Sequence, residues 1–178
     1  MFKLHKLIYP RMFQHLIPVL LLAVSVTSTA AENTLLDSPA RNWAQVGIEA
    51  DAKQLPVVLL VSDEDCGYCE LLKQEVLRPM HRNGELENRI IVREMDLHTG
   101  GKIVDFDGEK VRAGIFLGRY KVFATPTVLF LGHDGRPLHD PLVGFNGTER
   151  YRPLLERAIH ESRVALEQIG GKTRVAGN

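Results

Sequence analysis

The stretch Leu55-Pro56-Val57-Val58-Leu59-Leu60-Val61-Ser62-Asp63-Glu64-Asp65-Cys66-Gly67-Tyr68-Cys69-Glu70-Leu71-Leu72 decides how this chain is read. The run from Pro56 to Ser62 is apolar on both faces, which suits a central strand covered by helices on each side. From Cys66 the spacing becomes helical, with Cys69, Leu72 and Val76 on one stripe, Lys73 and Glu75 off it, and Pro79 near the end. The only two cysteines of the chain therefore stand where a buried strand hands over to a helix. A thiol in that place faces unpaired backbone N–H groups and the positive end of the helix macrodipole. Both favour thiolate over thiol and create a nucleophile near neutral pH.

Redox exchange competes with three other uses of such a pair. A structural disulfide would close so short a loop that chain entropy contributes only about 2 kcal/mol, the low end of the usual range. Structural zinc needs four ligands, typically a second Cys or His pair at matching spacing. His81, His98, His133, His139 and His160 are instead scattered singly, so no metal site is expected. A dithiol module holding a soft ion such as Cu(I) is the remaining alternative, and no further Met or His ligand motif accompanies it. Thiol–disulfide chemistry through Cys66 and Cys69 is the leading reading, and it requires no cofactor.

Residues 1–31 read as a secretory signal. Lys3, Lys6 and Arg11 supply a basic start with no acid before Glu32, Leu16 to Val26 forms an apolar core, and Ser28-Thr29-Ala30-Ala31 offers small residues for cleavage. The apolar stretch is short for a membrane span; because Pro18 interrupts it and the basic region is long, an uncleaved anchor is the alternative. Removing residues 1–31 takes three basic residues and no acidic ones from 22 of each sign, leaving a net charge near −3. That balance gives no footprint for nucleic acid or anionic lipid. What remains suffices for one domain, residues 32–171, expected to act as a monomer, with 172–178 as a loose tail. Export, to the periplasm or otherwise, implies an oxidising setting in which an exposed dithiol is turned over by partners.

Further along, Trp43, Val46, Gly47 and Ala50 recur at helical spacing, and Arg89 to Leu97 reads as a second strand. The segment from His98 to Lys110, with Asp105-Phe106-Asp107-Gly108, reads as a solvated loop; it lacks the later ligands of a calcium loop. Val111 to Tyr120 is a plausible helix. Thr127 to Leu131 and Leu138 to Val143 should pair antiparallel across Asp134-Gly135. A C-terminal helix opens at Asn146-Gly147-Thr148, carries Leu154, Leu155, Ala158, Ile159, Ser162, Val164, Ala165 and Ile169 on its apolar side, and ends at Gly170-Gly171. The predicted fold class is α/β, a mixed central sheet sandwiched between helices.

That element order, the Cys66-Gly67-Tyr68-Cys69 motif after the first buried strand, and Ala124-Thr125-Pro126-Thr127 before a later one resemble the thioredoxin superfamily from about Trp43 to Gln168. Within it, the insertion around Asp105 to Gly108 and the run Tyr120 to Pro126 look most like the exported SoxW-type thioredoxins. The resemblance implies a cis peptide before Pro126, a proline beside the two sulfurs, and a Thr125 backbone that pairs with an incoming substrate strand. Gly67 and Tyr68 would form the active-site loop. Two departures stand out. Thioredoxins proper carry a buried acid six residues before the first cysteine, where this chain has Leu60, so deprotonation of Cys69 needs another base or water, reached from Glu64 or Asp65. The Gly-Tyr dipeptide is also shared with the bacterial disulfide isomerase DsbC.

The cycle implied is attack by the Cys66 thiolate on a partner disulfide, followed by attack of Cys69 on Cys66. At pH 7 a thiol of pKa ~8.5 is about 3% ionised and one of ~7 about half. The helix terminus pushes toward the latter, and Asp63, Glu64, Asp65 and Glu70 push back. The expected partners are protein thiols and disulfides together with a membrane electron donor. Reduction of partners is the favoured direction, and isomerase or oxidase action is the alternative.

Overall fold

Asn42 stops the entering chain by accepting the Gln45 N–H on its side-chain oxygen at 3.1 Å, and helix α1 (Trp43–Lys53) follows. The computed structural model describes residues 40–176, so the expected leader lies outside the described residues. Gln54, in the left-handed conformation, ends α1 and turns the chain into β1 (Val57–Ser62), all six residues of which are buried. A continuous helical run then carries α2 (Gly67–Leu72), a π-helical turn (Lys73–Leu77) and α3 (Arg78–Arg82). Pro79 lies inside this run, just after the π-helical turn, and leaves the helix one N–H donor short there. After β2 (Ile91–Asp96) come β3 (Lys102–Val104), β4 (Lys110–Arg112) and α4 (Ala113–Arg119). Strands β5 (Thr127–Leu131) and β6 (Pro137–Val143) lead to the long helix α5 (Thr148–Ala176).

The main sheet has the order β2-β1-β5-β6. β1 and β2 are parallel, and β5 runs antiparallel to both β1 and β6. Because β1 is apolar at every position, it can stand in the middle with a core on each face. Val58, Leu60, Val92, Val128 and Phe130 pack against Leu72, Val76, Met80 and, from α5, Tyr151, Leu155 and Ile159. Val57, Leu59, Val61, Ile91 and Met95 face Trp43, Val46, Phe116 and Leu117 on α1 and α4. At about 25 cal/mol per Å2 of apolar surface, these two layers are the main source of stability. The predicted mixed sheet between helices is what forms, and the Asp134-Gly135 hairpin closes as expected, with Gly135 N–H donating to Gly132 at 3.0 Å.

Three expectations change. The segment 98–110 is no solvated loop: β3 and β4 make a two-stranded antiparallel hairpin, and Asp105 is buried. Arg119 donates to the Asp105 carboxylate, and Phe106 packs 5.8 Å from the Trp43 ring and 6.2 Å from that of Phe116. An apolar ring beside a tight turn is what anchors this segment. On α5 the buried stripe is Tyr151, Leu155, Ala158, Ile159 and Ser162, while Leu154 and Val164 stand partly exposed off it. The helix also runs through Gly170-Gly171 to Ala176. Glycine costs about 1 kcal/mol per position relative to alanine, which weakens a helix without obliging it to stop.

Candidate active site

The register of the sheet brings the predicted site residues to one end. β1 delivers its C-terminal residue Ser62 next to Asp96 of β2, and Val61 lies opposite Thr127 at the start of β5. The loop 63–66 therefore leaves the sheet at the same edge where Thr125 and Pro126 enter it. The Thr125–Pro126 peptide is cis, as the resemblance implies. Pro126 is buried, its carbonyl accepts the Gly144 N–H at 2.8 Å, and Thr127 Oγ1 donates to the Ala124 carbonyl at 2.7 Å.

Cys66 is the N-cap of α2 and is bonded to Cys69 with the two Cα atoms 5.3 Å apart. Its sulfur accepts the Cys69 N–H at 3.1 Å, the contact expected of a helix N-terminus. The two sulfurs differ in access: Cys66 is partly exposed and Cys69 is fully buried. Once reduced, the Cys66 sulfur is the one that an incoming disulfide can reach and the one that a backbone N–H stabilises as an anion. Asp63 shapes the loop before it, accepting the Asp65 N–H at 3.1 Å on its side chain and the Cys66 N–H at 3.1 Å on its carbonyl. Its other carboxylate oxygen lies 3.0 Å from His98 Nε2.

Glu64 and Asp65, the bases considered from sequence, are exposed and point no carboxylate into the core. The buried acid of this region is Glu94 on β2. It pairs in register with Leu60 and so faces α2. Ser62 Oγ donates to Glu94 Oε1 at 2.5 Å and Lys73 Nζ donates to the same oxygen at 3.1 Å; Lys73 also lies 2.5 Å from Glu70. Burial disfavours the Lys73 ammonium, but hydrogen bonds to Glu70 and Glu94 and the charge of both hold its pKa above the usual lysine value. A charged residue inside the apolar run Ile90 to Met95 was the available signal.

Apolar side chains edge this end. Tyr68 of the motif is 63% exposed, Phe123 is 84% exposed, and Val143, opposite Thr127, is 60% exposed. Phe123 carried no sequence signal of its own. A groove lined by Leu55, Leu77, Ile90 and Arg93 lies toward the other end of the sheet and contains none of these residues. Among the described residues there is no group of three or more His, Cys, Asp and Glu able to hold a metal ion, and no helix long and apolar enough to cross a membrane.

A family model for a thioredoxin-like domain matches residues 44–159. Among solved structures, the chain is similar to the periplasmic thioredoxin SoxS from Paracoccus pantotrophus in its reduced form. Identity is 17%, with 60% of this chain and 98% of that one covered and a TM-score of 0.44. The oxidised C-terminal domain of DsbD from Neisseria meningitidis is 19% identical, over 65% of this chain and 90% of that one, with a TM-score of 0.46. A poplar thioredoxin h is 23% identical over 64% and 86%, with a TM-score of 0.44. No curated protein matches by sequence.

Proposed function

Because the chain belongs to the thioredoxin-like domain family and is a thiol:disulfide oxidoreductase, we propose that it serves as an exported, monomeric reductase of protein disulfides, of the SoxW type. Cys66 is the attacking sulfur and Cys69 the resolving one. The observation that carries this assignment is their asymmetry, an accessible sulfur at the helix terminus with a backbone N–H on it and a buried sulfur behind.

In the cycle, the Cys66 thiolate attacks one sulfur of the partner disulfide, and the other partner sulfur leaves as a thiolate and is protonated. Cys69 then loses its proton and attacks Cys66, the Cys66–Cys69 bond forms, and the second partner sulfur departs. Two electrons pass from the dithiol to the partner. Thr125 and Pro126 receive the partner segment; neither the N–H nor the C=O of Thr125 meets a backbone partner among the described residues, which suits pairing with an incoming strand. Gly67 and Tyr68 form the loop over which that segment lies. Residues 1–31 act as the export signal, and a membrane electron donor re-reduces the disulfide. No nucleic acid, metal or cofactor takes part.

Equilibration with glutathione buffers tests the direction. A reductase has a potential toward the thioredoxin value of about −270 mV, whereas a value near the −120 mV of DsbA contradicts the assignment.

A further inference from the structure

The β3–β4 hairpin carries Lys102, Lys110 and Arg112, all exposed. Its register sets Lys102 opposite Arg112 and, beyond the Ile103–Val111 pair, Val104 opposite Lys110. Ile103 is buried, so the three cations share the alternate face, turned away from the core. Like charges directly opposite each other destabilise a strand pair. Nothing in the fold offsets this: among the described residues none of the three meets a carboxylate, whereas Lys53, Lys73, Arg89, Arg93 and Arg152 each do. Exposed Arg41 extends the ridge, its guanidinium donating to the Gly100 carbonyl at 2.6 Å. The acids of the hairpin lie elsewhere, with Asp105 buried and bonded to Arg119, and Asp107 and Glu109 in the connection beyond Val104. β3 starts at the end of the sheet that holds the dithiol. His98 has its Nε2 3.0 Å from Asp63, whose carbonyl accepts the Cys66 N–H at 3.1 Å. The chain from His98 to Lys102 spans at most about 14 Å, so the ridge begins within that reach of the active-site loop.

We propose that this ridge docks an acidic segment of the protein whose disulfide Cys66 attacks. The inference rests on the dithiol cycle above and names the chemistry of its partner. The surroundings of the dithiol have the opposite sign, with Asp63, Glu64 and Asp65 before the motif and Glu70 after it. A partner with acids directly at its disulfide is repelled there. One whose acids are set back along its chain is held by Lys102 and Arg112 while its disulfide faces Cys66. The two fields thus select orientation as well as raising the encounter rate, the usual gain from charge complementarity at the edge of an interface. Arg112 adds a planar fork that can take both oxygens of one carboxylate. A narrow acidic segment fits this division of charge. A continuous anionic surface such as a membrane would meet the acids beside Cys66 as well as the ridge, and be pushed away by them.

The test uses peptides with an internal disulfide, a flexible Gly-Ser spacer able to reach about 20 Å, and then a run of Glu or, in the control, of Gln. At low ionic strength the reduced protein should react with the Glu peptide about fivefold faster than with the Gln peptide, and about 0.5 M salt should abolish the difference. In the double variant Lys102→Glu with Arg112→Glu the ratio should fall to about one or below. Arg112→Glu alone sets opposite charges face to face across the hairpin, which favours its folding, and should bring the ratio to about twofold. That single variant decides if the double one does not fold. Equal rates for the two peptides in the wild type overturn the proposal, as does an advantage that charge reversal leaves in place. Phosphatidylglycerol vesicles supply the rival surface: sedimentation with them that charge reversal abolishes, beside equal peptide rates, overturns it in favour of lipid. Fluorescence anisotropy of labelled peptides with serine in place of cysteine reads docking without exchange chemistry. Tighter binding of the Glu form that charge reversal removes upholds the ridge even if the chain reduces no disulfide, and equal binding of both forms counts against it.

Discussion

Tyr151 packs its ring 5.4 Å from that of Phe145 while its hydroxyl is buried without a hydrogen-bond partner among the described residues. Burial alone pushes its pKa upward. An unpaired buried hydroxyl costs about 1–3 kcal/mol. Tyr151→Phe keeps the ring and should therefore raise stability by about 1 kcal/mol in urea unfolding; a comparable loss would mean that the hydroxyl is bonded after all. Glu49 offers a pH test. Its hydrogen bond to Lys53, against the opposing effect of burial, and the charge of Arg93 hold its pKa below the ordinary value of 4.5. A carboxylate depressed in the folded state stabilises above its unfolded pKa and loses that contribution as pH falls through the folded one. Stability should thus decline below about pH 4.5 with a component missing in Glu49→Gln, and solvent screening keeps that component within about 0.5 kcal/mol. At this scale the spacing of Cys66 and Cys69 made the chemistry legible. Glu94 stood out in the sequence only as a charge inside an apolar run; its place beside Leu60 and Ser62, far from it in sequence, is set by the β1–β2 register.

Among the elements, the hairpin β3–β4 departs most from its sequence reading. Its polar composition suggested solvent, yet Phe106 is held between Trp43, Phe116 and the β5–β6 turn, where a Cβ on Gly135 would lie 2.5 Å from the Phe106 ring. Tyr120 closes the contact by donating to the Gly135 carbonyl at 2.8 Å. Aromatic burial of this kind is a long-range event that alternation and turn signals do not report. Phe106→Ala should lower the urea midpoint by the equivalent of about 2 kcal/mol, less than a fully buried Phe because part of the side chain stays in contact with solvent. The dithiol cycle should survive, since the turn that Phe106 covers lies at the opposite end of the sheet from Cys66; a large loss of exchange rate in folded Phe106→Ala protein would contradict that separation. The π-helical turn is another feature that periodicity missed. Cys69, Leu72 and Val76 were placed on one stripe correctly, but an extra residue in the turn is invisible to a simple 3.6 count.

For the whole molecule, the order of the central elements was readable because β1 and β5 are apolar and buried along their whole length, and the antiparallel last pair because the Asp134-Gly135 turn joins them. One apolar strand, β1, divides the two cores and delivers the dithiol to the edge where Pro126 enters. Chemistry therefore sits at one end and the docked hairpin turn at the other. Direction of electron flow was not legible, because it rests on small differences in sulfur environment worth a few kcal/mol. The central claim is that Cys66 attacks partner disulfides and Cys69 releases them. Its most direct measurement is covalent trapping with Cys69→Ala, analysed on non-reducing gels beside Cys66→Ala. We expect disulfide-linked partners with Cys69→Ala that vanish on reduction, and none with Cys66→Ala. Equal trapping by both variants, or trapping by Cys66→Ala alone, would contradict the assignment.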